Sequence, residues 1–92
     1  MDLLDALLTP SDVEVLLAQR LRAERRRRQW TQAELARRAN LSIATIARFE
    51  QSGQGQVASL LQLCTALGRL AEWGDLLRPP PPTSLDDLRR RS

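Results

Sequence analysis

The chain lacks several residue types on which enzyme chemistry commonly depends. Its 92 residues include no histidine, no tyrosine and a single cysteine. Most nucleophile–base pairs and most zinc sites need those side chains, so we expect no catalytic residue, no metal site and no cofactor. An active site built from carboxylates alone would need two acids around one pocket, and nothing in the sequence places them so. We therefore expect that the protein is not an enzyme.

The single cysteine, Cys64, excludes an internal disulfide and fits a reducing cytoplasm. Because it lies within a leucine-rich pattern, a small buried hydrophobe is the favoured interpretation and a reactive thiol is the alternative. Residues 1–5 have no basic region before an apolar run, which argues against a signal peptide. No apolar run approaches the roughly 20 residues that span a bilayer. These absences predict a cytoplasmic protein that does not enter a membrane.

Aromatic residues are scarce, whereas positive charge is concentrated in one stretch. With 3% aromatic and 42% apolar residues, the core must be built mainly from Leu, Ala, Val and Ile, and a core this thin gains from pairing with a second copy. The net charge is +3 and every basic residue is arginine. Residues 20–48 contain nine arginines against Glu24 and Glu34, whereas the first 14 residues contain four acids and no base.

Residues 31–51, with the sequence TQAELARRANLSIATIARFEQ, contain the start signals of two short helices. Thr31 and Glu34 match a capping box, in which each side chain accepts a backbone N–H of the other. Ser42 is a second capping residue, with Leu41 before it facing Ile46 after it. Asn40, between them, tolerates the left-handed conformation that ends a helix. Two capped helices this close predict a helix-turn-helix, and its overlap with the arginine-rich stretch is typical of a DNA-binding domain.

Further helices are predicted on both sides of this motif. Ser11 with Glu14 matches another capping box, which would begin a helix whose Val13, Leu17 and Leu21 face the core. Residues 25–28, four arginines, end that helix. They are either solvated at the negative end of the helix dipole or in contact with phosphate. Another helix is predicted over residues 57–67, and a shorter one over residues 70–77, interrupted by a glycine.

These patterns divide the chain into three parts: an apolar and acidic segment at residues 1–10, a helical domain at residues 11–78, and a tail at residues 79–92. The tail begins with four prolines, which favour an extended spacer. Beyond them the composition predicts either a disordered tail or a peptide that orders on a partner through Leu85 and Leu88.

Residues 20–77 resemble the XRE family, the phage repressor and Cro-like helix-turn-helix regulators of bacteria. The resemblance rests on W-T-Q-A-E-L-A-R-R-A, then L-S-x-x-T-I-x-x-F-E, then a helix that ends in A-L-G. It implies an all-α, five-helix, lambda-repressor-like domain that binds double-stranded operator DNA as a homodimer. In that arrangement the second helix begins over the phosphate backbone and the third lies in the major groove.

The resemblance also implies roles for individual residues. Gln32 corresponds to a glutamine that bonds a phosphate, and Arg25 and Glu50 correspond to a salt bridge behind the recognition helix. Trp73 falls where the last helix often supplies an apolar side chain to the core or to the dimer interface. We expect the dimer interface itself at Leu70, Trp73 and Leu77. Together with the arginine-rich flanks, the expected DNA-binding residues are Arg28, Thr31, Gln32, Arg37, Arg38, Ser42, Ile43, Ala44, Thr45 and Arg48.

The predicted reading surface departs from the family at one position that matters for specificity. Relatives often have glutamine at the position of Ile43, and isoleucine cannot form glutamine's bidentate hydrogen bond to adenine. Ile43 and Ala44 can instead pack on thymine methyl groups, which leaves Arg48 as the best reader of guanine. The loop at residues 52–56 is uncharged, although it is often basic in relatives.

More specifically, the chain resembles the small HipB-like antitoxins that pair with HipA-type kinase toxins. The features in common are L-x-x-x-x-A-L-G-x-L-x-E-W-x-D-L-L and the tail P-P-P-x-S-L-D-D-L. This implies a repressor that also binds a kinase toxin and regulates its own operon. The alternatives are a stand-alone phage-repressor-like regulator and a helical protein-interaction module without DNA binding.

Overall fold

A computed structural model describes residues 8–82 and residue 89 of the chain. In this part there are five helices and no strand: α1 (Pro10–Arg27), α2 (Gln32–Ala39), α3 (Ile43–Ser52), α4 (Val57–Ala66) and α5 (Ala71–Gly74). The expected all-α, five-helix class is confirmed. None of the described helices combines the length and apolar character needed to cross a membrane. Most of the acidic N-terminal segment, and Leu85 and Leu88 of the tail, lie outside the described residues.

Helix α1 begins earlier than the sequence pattern predicted. Thr9, and not Ser11, is the capping residue: its Oγ1 accepts the Asp12 N–H at 3.1 Å, and the Asp12 carboxylate accepts the Thr9 N–H at 3.0 Å. Pro10 occupies the first helical position, where its missing N–H costs nothing and its fixed φ suits the helix. The predicted Ser11–Glu14 box is therefore wrong, because the proline favours the cap that precedes it.

Helices α1, α2 and α4 end in the same way. Each is followed by a residue in the left-handed region, namely Gln29 (φ 61°), Asn40 (φ 56°) and Gly68 (φ 70°). The next amide then donates back to a carbonyl five residues earlier, with N···O distances of 3.2, 2.9 and 2.8 Å in chain order. This Schellman arrangement pairs carbonyls that a helix end would otherwise leave unsatisfied. The sequence predicted the left-handed Asn40 but not Gln29, because glutamine carries no such preference.

Helix α3 lies at the centre of the packing, against both α1 and α2, while α2 also packs against α4. Leu35, Ile46 and Leu63, one from each of α2, α3 and α4, are fully buried. The predicted α1 stripe is only partly correct. Leu21 is buried and Leu17 is half-buried, but Val13 is 40% exposed because no described element covers the first turns of α1 on that side.

The last helix is shorter than predicted. Helix α5 ends at Gly74, and residues 75–77 form a turn in which Leu77 has a φ of 60°, a conformation that cannot continue a helix. Trp73 on α5 donates its indole N–H to the Cys64 sulfur at 2.9 Å. Cys64 is half-buried and not fully buried as expected, and burial raises the pKa of its thiol.

Candidate nucleic-acid interface

The turn between α2 and α3 presents two hydroxyl groups at the start of α3. Ser42 Oγ accepts the Thr45 N–H at 3.1 Å and lies 2.8 Å from Thr45 Oγ1. One hydroxyl donates to the other, so the second hydroxyl proton stays available to an external acceptor. The two residues that cap the N-terminus of α3 therefore also offer one hydrogen-bond donor to a ligand.

The outer face of α3 is apolar apart from one charged side chain. Ile46 and Phe49 point into the core, while Ile43 is 52% exposed and Ala44 is also exposed. Arg48 is exposed on the same helix, and its guanidinium forms no hydrogen bond or ion pair with any described residue. The outer face of α3 thus combines two apolar side chains with one guanidinium that is free to bind a ligand.

Behind this surface, Arg25 and Glu50 form the ion pair that the resemblance implied. Arg25 Nε and Nη2 donate to the two Glu50 carboxylate oxygens at 2.6 and 2.9 Å, and Nη1 donates to the Trp30 carbonyl at 2.8 Å. Their side chains are only 11% and 4% exposed, and the hydrogen bonds to Glu50 raise the pKa of Arg25. The pair joins the end of α1 to α3 and so holds α3 in a fixed orientation.

Gln32 lies at the edge of a polar depression beside this ion pair. Its side-chain N–H group is 3.4 Å from Glu50 Oε1, near the limit of a hydrogen bond. The depression has a volume of about 250 Å³ and is bounded by Arg22, Arg25, Gln32, Ala47, Glu50 and Gln51. The sequence interpretation placed Ala47 on the outer side of α3 but gave it no role, and it missed Arg22 and Gln51. For Arg22 a signal was present, because it precedes Arg25 by one helical turn and so shares its face.

Arg28, an expected DNA contact, is used within the fold. Its Nε donates to Glu24 at 3.1 Å, its Nη2 donates to the Leu67 carbonyl at 2.7 Å, and its guanidinium lies 5.1 Å from the centre of the Trp30 ring. Arg28 thus joins the ends of α1 and α4, and we leave it out of the proposed interface. Glu24 also accepts from Arg27 at 2.6 Å, and this hydrogen bond in particular lowers the pKa of Glu24 to about 2.

Arg37 and Arg38 extend from α2 on the surface. Both donate to Glu34, at 2.7 and 2.8 Å, and Arg38 also lies 4.2 Å from the centre of the Trp30 ring. These hydrogen bonds, chiefly the one from Arg37, lower the pKa of Glu34. Thr31 accepts the Glu34 N–H at 3.1 Å, but the Glu34 carboxylate is held by the arginines, so only half of the predicted capping box forms. Exposed pairs of this kind contribute at most about 1 kcal/mol, so phosphate can displace Glu34.

The three residues expected at a dimer interface lie in different environments. Leu70 is exposed and Leu77 is 91% exposed, whereas Trp73 is half-buried and donates to Cys64 of its own chain. Leu70 and Leu77 are therefore free to contact a second copy, while Trp73 contributes to the packing between α4 and α5.

Comparison with known families agrees with this geometry. The profile described as "Helix-turn-helix domain" matches residues 16–77, which include all of α2, α3, α4 and α5 and most of α1. No curated protein matches the chain. Domains of this kind are typical of DNA-binding regulators, in which the second helix of the motif lies in the major groove. The chain belongs to the helix-turn-helix domain family.

Proposed function

We propose that the protein is a sequence-specific transcriptional repressor that binds operator DNA as a dimer. The observation that carries the proposal is the outer face of α3. There, Ile43, Ala44 and the unpaired Arg48 are exposed together, on a helix that the Arg25–Glu50 ion pair holds in place. A protein bound at an operator in this way would block access of the transcription machinery.

Each group on this face has a matching partner in the major groove. Arg48 can donate two hydrogen bonds to O6 and N7 of guanine, and Ile43 and Ala44 can pack on thymine methyl groups. The free hydroxyl proton of the Ser42–Thr45 pair can reach a base acceptor or a phosphate. We assign Thr31, Gln32, Arg37 and Arg38 to the phosphate backbone, where contacts set the register without reading sequence.

Replacing Arg48 by alanine tests the assignment of the reading surface. We expect a loss of about 1–3 kcal/mol at one base pair of the operator and relaxed selectivity there. The operator duplex would first be selected from a random pool and checked against the promoter of the protein's own operon. Fluorescence anisotropy would then measure the Kd of each base variant. Arg20→Ala is the control, because Arg20 borders a groove on the other side of α1. Full selectivity in Arg48→Ala would show that α3 does not read bases through this side chain.

The dimer is proposed to form through Leu70 and Leu77, with Trp73 behind them. Exposed leucines outside the core support this arrangement, because pairing would remove their surface from water. Leu77→Asp should shift the monomer–dimer equilibrium toward monomer in sedimentation equilibrium without changing the far-UV circular dichroism. An unchanged equilibrium would show that the dimer interface lies on another surface.

A finer proposal is that this repressor is the antitoxin of a type II toxin–antitoxin pair and also binds a kinase toxin. The support for a protein partner is the resemblance of residues 61–77 and of the proline-led tail to the HipB-like antitoxins. Co-expression with the product of the neighbouring gene, followed by purification, tests for the complex. A chain ending at Pro79 should lose affinity for the toxin and keep its affinity for DNA.

The alternatives give different results in the co-purification and in a gel shift with the promoter of the protein's own operon. A stand-alone regulator binds the operator but does not purify with a toxin. A protein-interaction module without DNA binding fails to shift its own promoter in a gel, and this outcome would reject the main proposal.

A further inference from the structure

We propose that Arg22 is a phosphate-binding residue, and that Arg22 and Gln32 together hold one phosphodiester of the DNA backbone. The inference rests on the DNA-binding function proposed above. It adds a contact on α1 that neither the helix-turn-helix motif nor the family resemblance assigned.

Arg22 lies where three helices come together. It lies on α1 one turn before Arg25 and borders the polar depression described above, together with Gln32 at the start of α2 and Ala47 on α3. Three helices therefore meet at this depression. Because Ala47 has only a methyl group there, the depression stays open beside the reading surface of α3.

Arg22 has no partner within the part of the chain that the structure describes. Arg25 and Arg27 on the same helix, and Arg28 just after it, form ion pairs, whereas the exposed Arg22 guanidinium forms neither a hydrogen bond nor an ion pair with a described residue. Arg20 and Arg26 are likewise unpaired among the described residues, but neither borders the depression. All of its N–H donors are thus available, and their planar arrangement matches the oxygens of a phosphate.

The net charge of the side chains around the depression matches that of a phosphodiester. The Glu50 carboxylate faces the same depression, but the bidentate pair with Arg25 neutralises it. The Arg22 guanidinium therefore leaves the depression with one positive charge, which equals the single negative charge of a phosphodiester. Gln32 adds an uncharged donor, since its amide group is held only by the 3.4 Å contact to Glu50.

A phosphate bound at this point would connect α1 and α2 to the DNA backbone next to α3. Contacts of this type fix the position of a protein on the duplex and carry no sequence information. Arg22 should therefore contribute equally to the affinity for every operator variant, and its contribution should depend on salt. Arg48 should behave in the opposite way, since its contact is to a base.

The test compares Arg22→Gln with Arg20→Gln. Both arginines are exposed on α1 and unpaired within the described residues, but Arg20 borders the apolar groove formed with α4 and α5. The two variants thus lose the same charge from opposite faces of one helix. The Kd for the selected operator duplex is measured by fluorescence anisotropy between 0.05 and 0.3 M NaCl, on protein whose thermal unfolding matches the wild type.

For Arg22→Gln we expect the slope of log K against log[salt] to decrease in magnitude by about 0.9 for each bound protomer, as for the loss of one phosphate contact. The same relation predicts about eightfold weaker binding for each protomer at 0.1 M salt. Relative affinities for operator variants should not change, and Arg20→Gln should change the Kd by less than about twofold.

A double variant tests whether Arg22 and Gln32 share one phosphate. If they do, Arg22→Gln combined with Gln32→Leu should weaken binding by less than the product of the two single effects. Multiplicative effects would reject the shared phosphate. Equal salt slopes for Arg22→Gln and Arg20→Gln would reject the role of Arg22 while leaving DNA binding intact, and so would an altered order of operator preference. Failure of the wild-type protein to bind any duplex would instead reject the proposed function.

Discussion

Replacing Arg25 by methionine removes the cation that faces the Glu50 carboxylate behind α3. That carboxylate is 4% exposed, and its remaining partner among the described residues would be Gln32 at 3.4 Å. Removing one member of a buried ion pair typically costs about 3–5 kcal/mol, because the other charge stays buried without compensation. The free energy of unfolding of a native domain is only about 5–15 kcal/mol. Arg25→Met should therefore remove a large share of the stability of this domain.

Glu50→Leu should cost about 3 kcal/mol for the same reason, since Arg25 is 11% exposed and would keep only its bond to the Trp30 carbonyl. In the double variant Arg25→Met/Glu50→Leu both charges are absent. The main loss is then the unpaired Trp30 carbonyl, at about 1–3 kcal/mol. The double variant should thus be more stable than the sum of the single effects predicts, with a coupling energy of at least about 2 kcal/mol.

Equilibrium urea unfolding at pH 7, followed by far-UV circular dichroism, measures the free energy of unfolding of the wild type, the two single variants and the double variant. Arg69→Met is the matched control, because the Arg69–Glu72 pair is more than half exposed on both sides and should contribute less than about 1 kcal/mol. A coupling energy near zero would refute the reasoning. So would a cost for Arg25→Met no larger than that for Arg69→Met.

Two further predictions concern α1. Glu24 has a pKa of about 2 in the fold against its usual 4.5, so its stabilising effect is fully present above pH 4.5 and is lost as the pH falls toward 2. Glu24→Gln should lower the Tm at pH 7, and the difference from the wild type should shrink below pH 4; a constant difference across this range would contradict the assignment. Gln29→Gly should raise the free energy of unfolding by about 0.5–1 kcal/mol, since Gln29 has a left-handed backbone that glycine adopts without strain. The same change at Gln19, an exposed position inside α1, should lower the free energy of unfolding by about 1 kcal/mol. If urea unfolding showed that both variants change the stability in the same direction, backbone conformation would not be the cause.

The helix-turn-helix could be located from sequence because its signals are local. Thr31 and Ser42 cap α2 and α3 through amides three residues away, and Asn40 closes α2 within the same turn. Interactions of this range depend on neighbouring residues alone. The start of α1 was missed because two capping residues, Thr9 and Ser11, compete within one turn. There the backbone preference of Pro10 decided the outcome.

The inward and outward faces of α3 were also evident from sequence. A helical period of 3.6 residues separates Ile46 and Phe49 from Ile43, Ala44 and Arg48 without reference to the rest of the chain. The end of α5 was less predictable. Its predicted extent followed the apolar pattern through Leu77, but few apolar contacts hold this segment, and Leu77 adopts a left-handed backbone instead.

The sequence by itself determined where the helices of the motif begin, which side chains face outward from α3, and that positive charge surrounds them. It did not distinguish the four consecutive arginines at residues 25–28, which are chemically identical. Tertiary structure assigned Arg25 to Glu50 on α3 and Arg28 to the carbonyl of Leu67 at the end of α4, while Arg27 pairs locally with Glu24 of its own helix. Among the described residues it left Arg22, one turn earlier, without a partner beside the depression. A guanidinium takes its role from the acceptors that other helices bring to it, and only the packing of those helices decides where they lie.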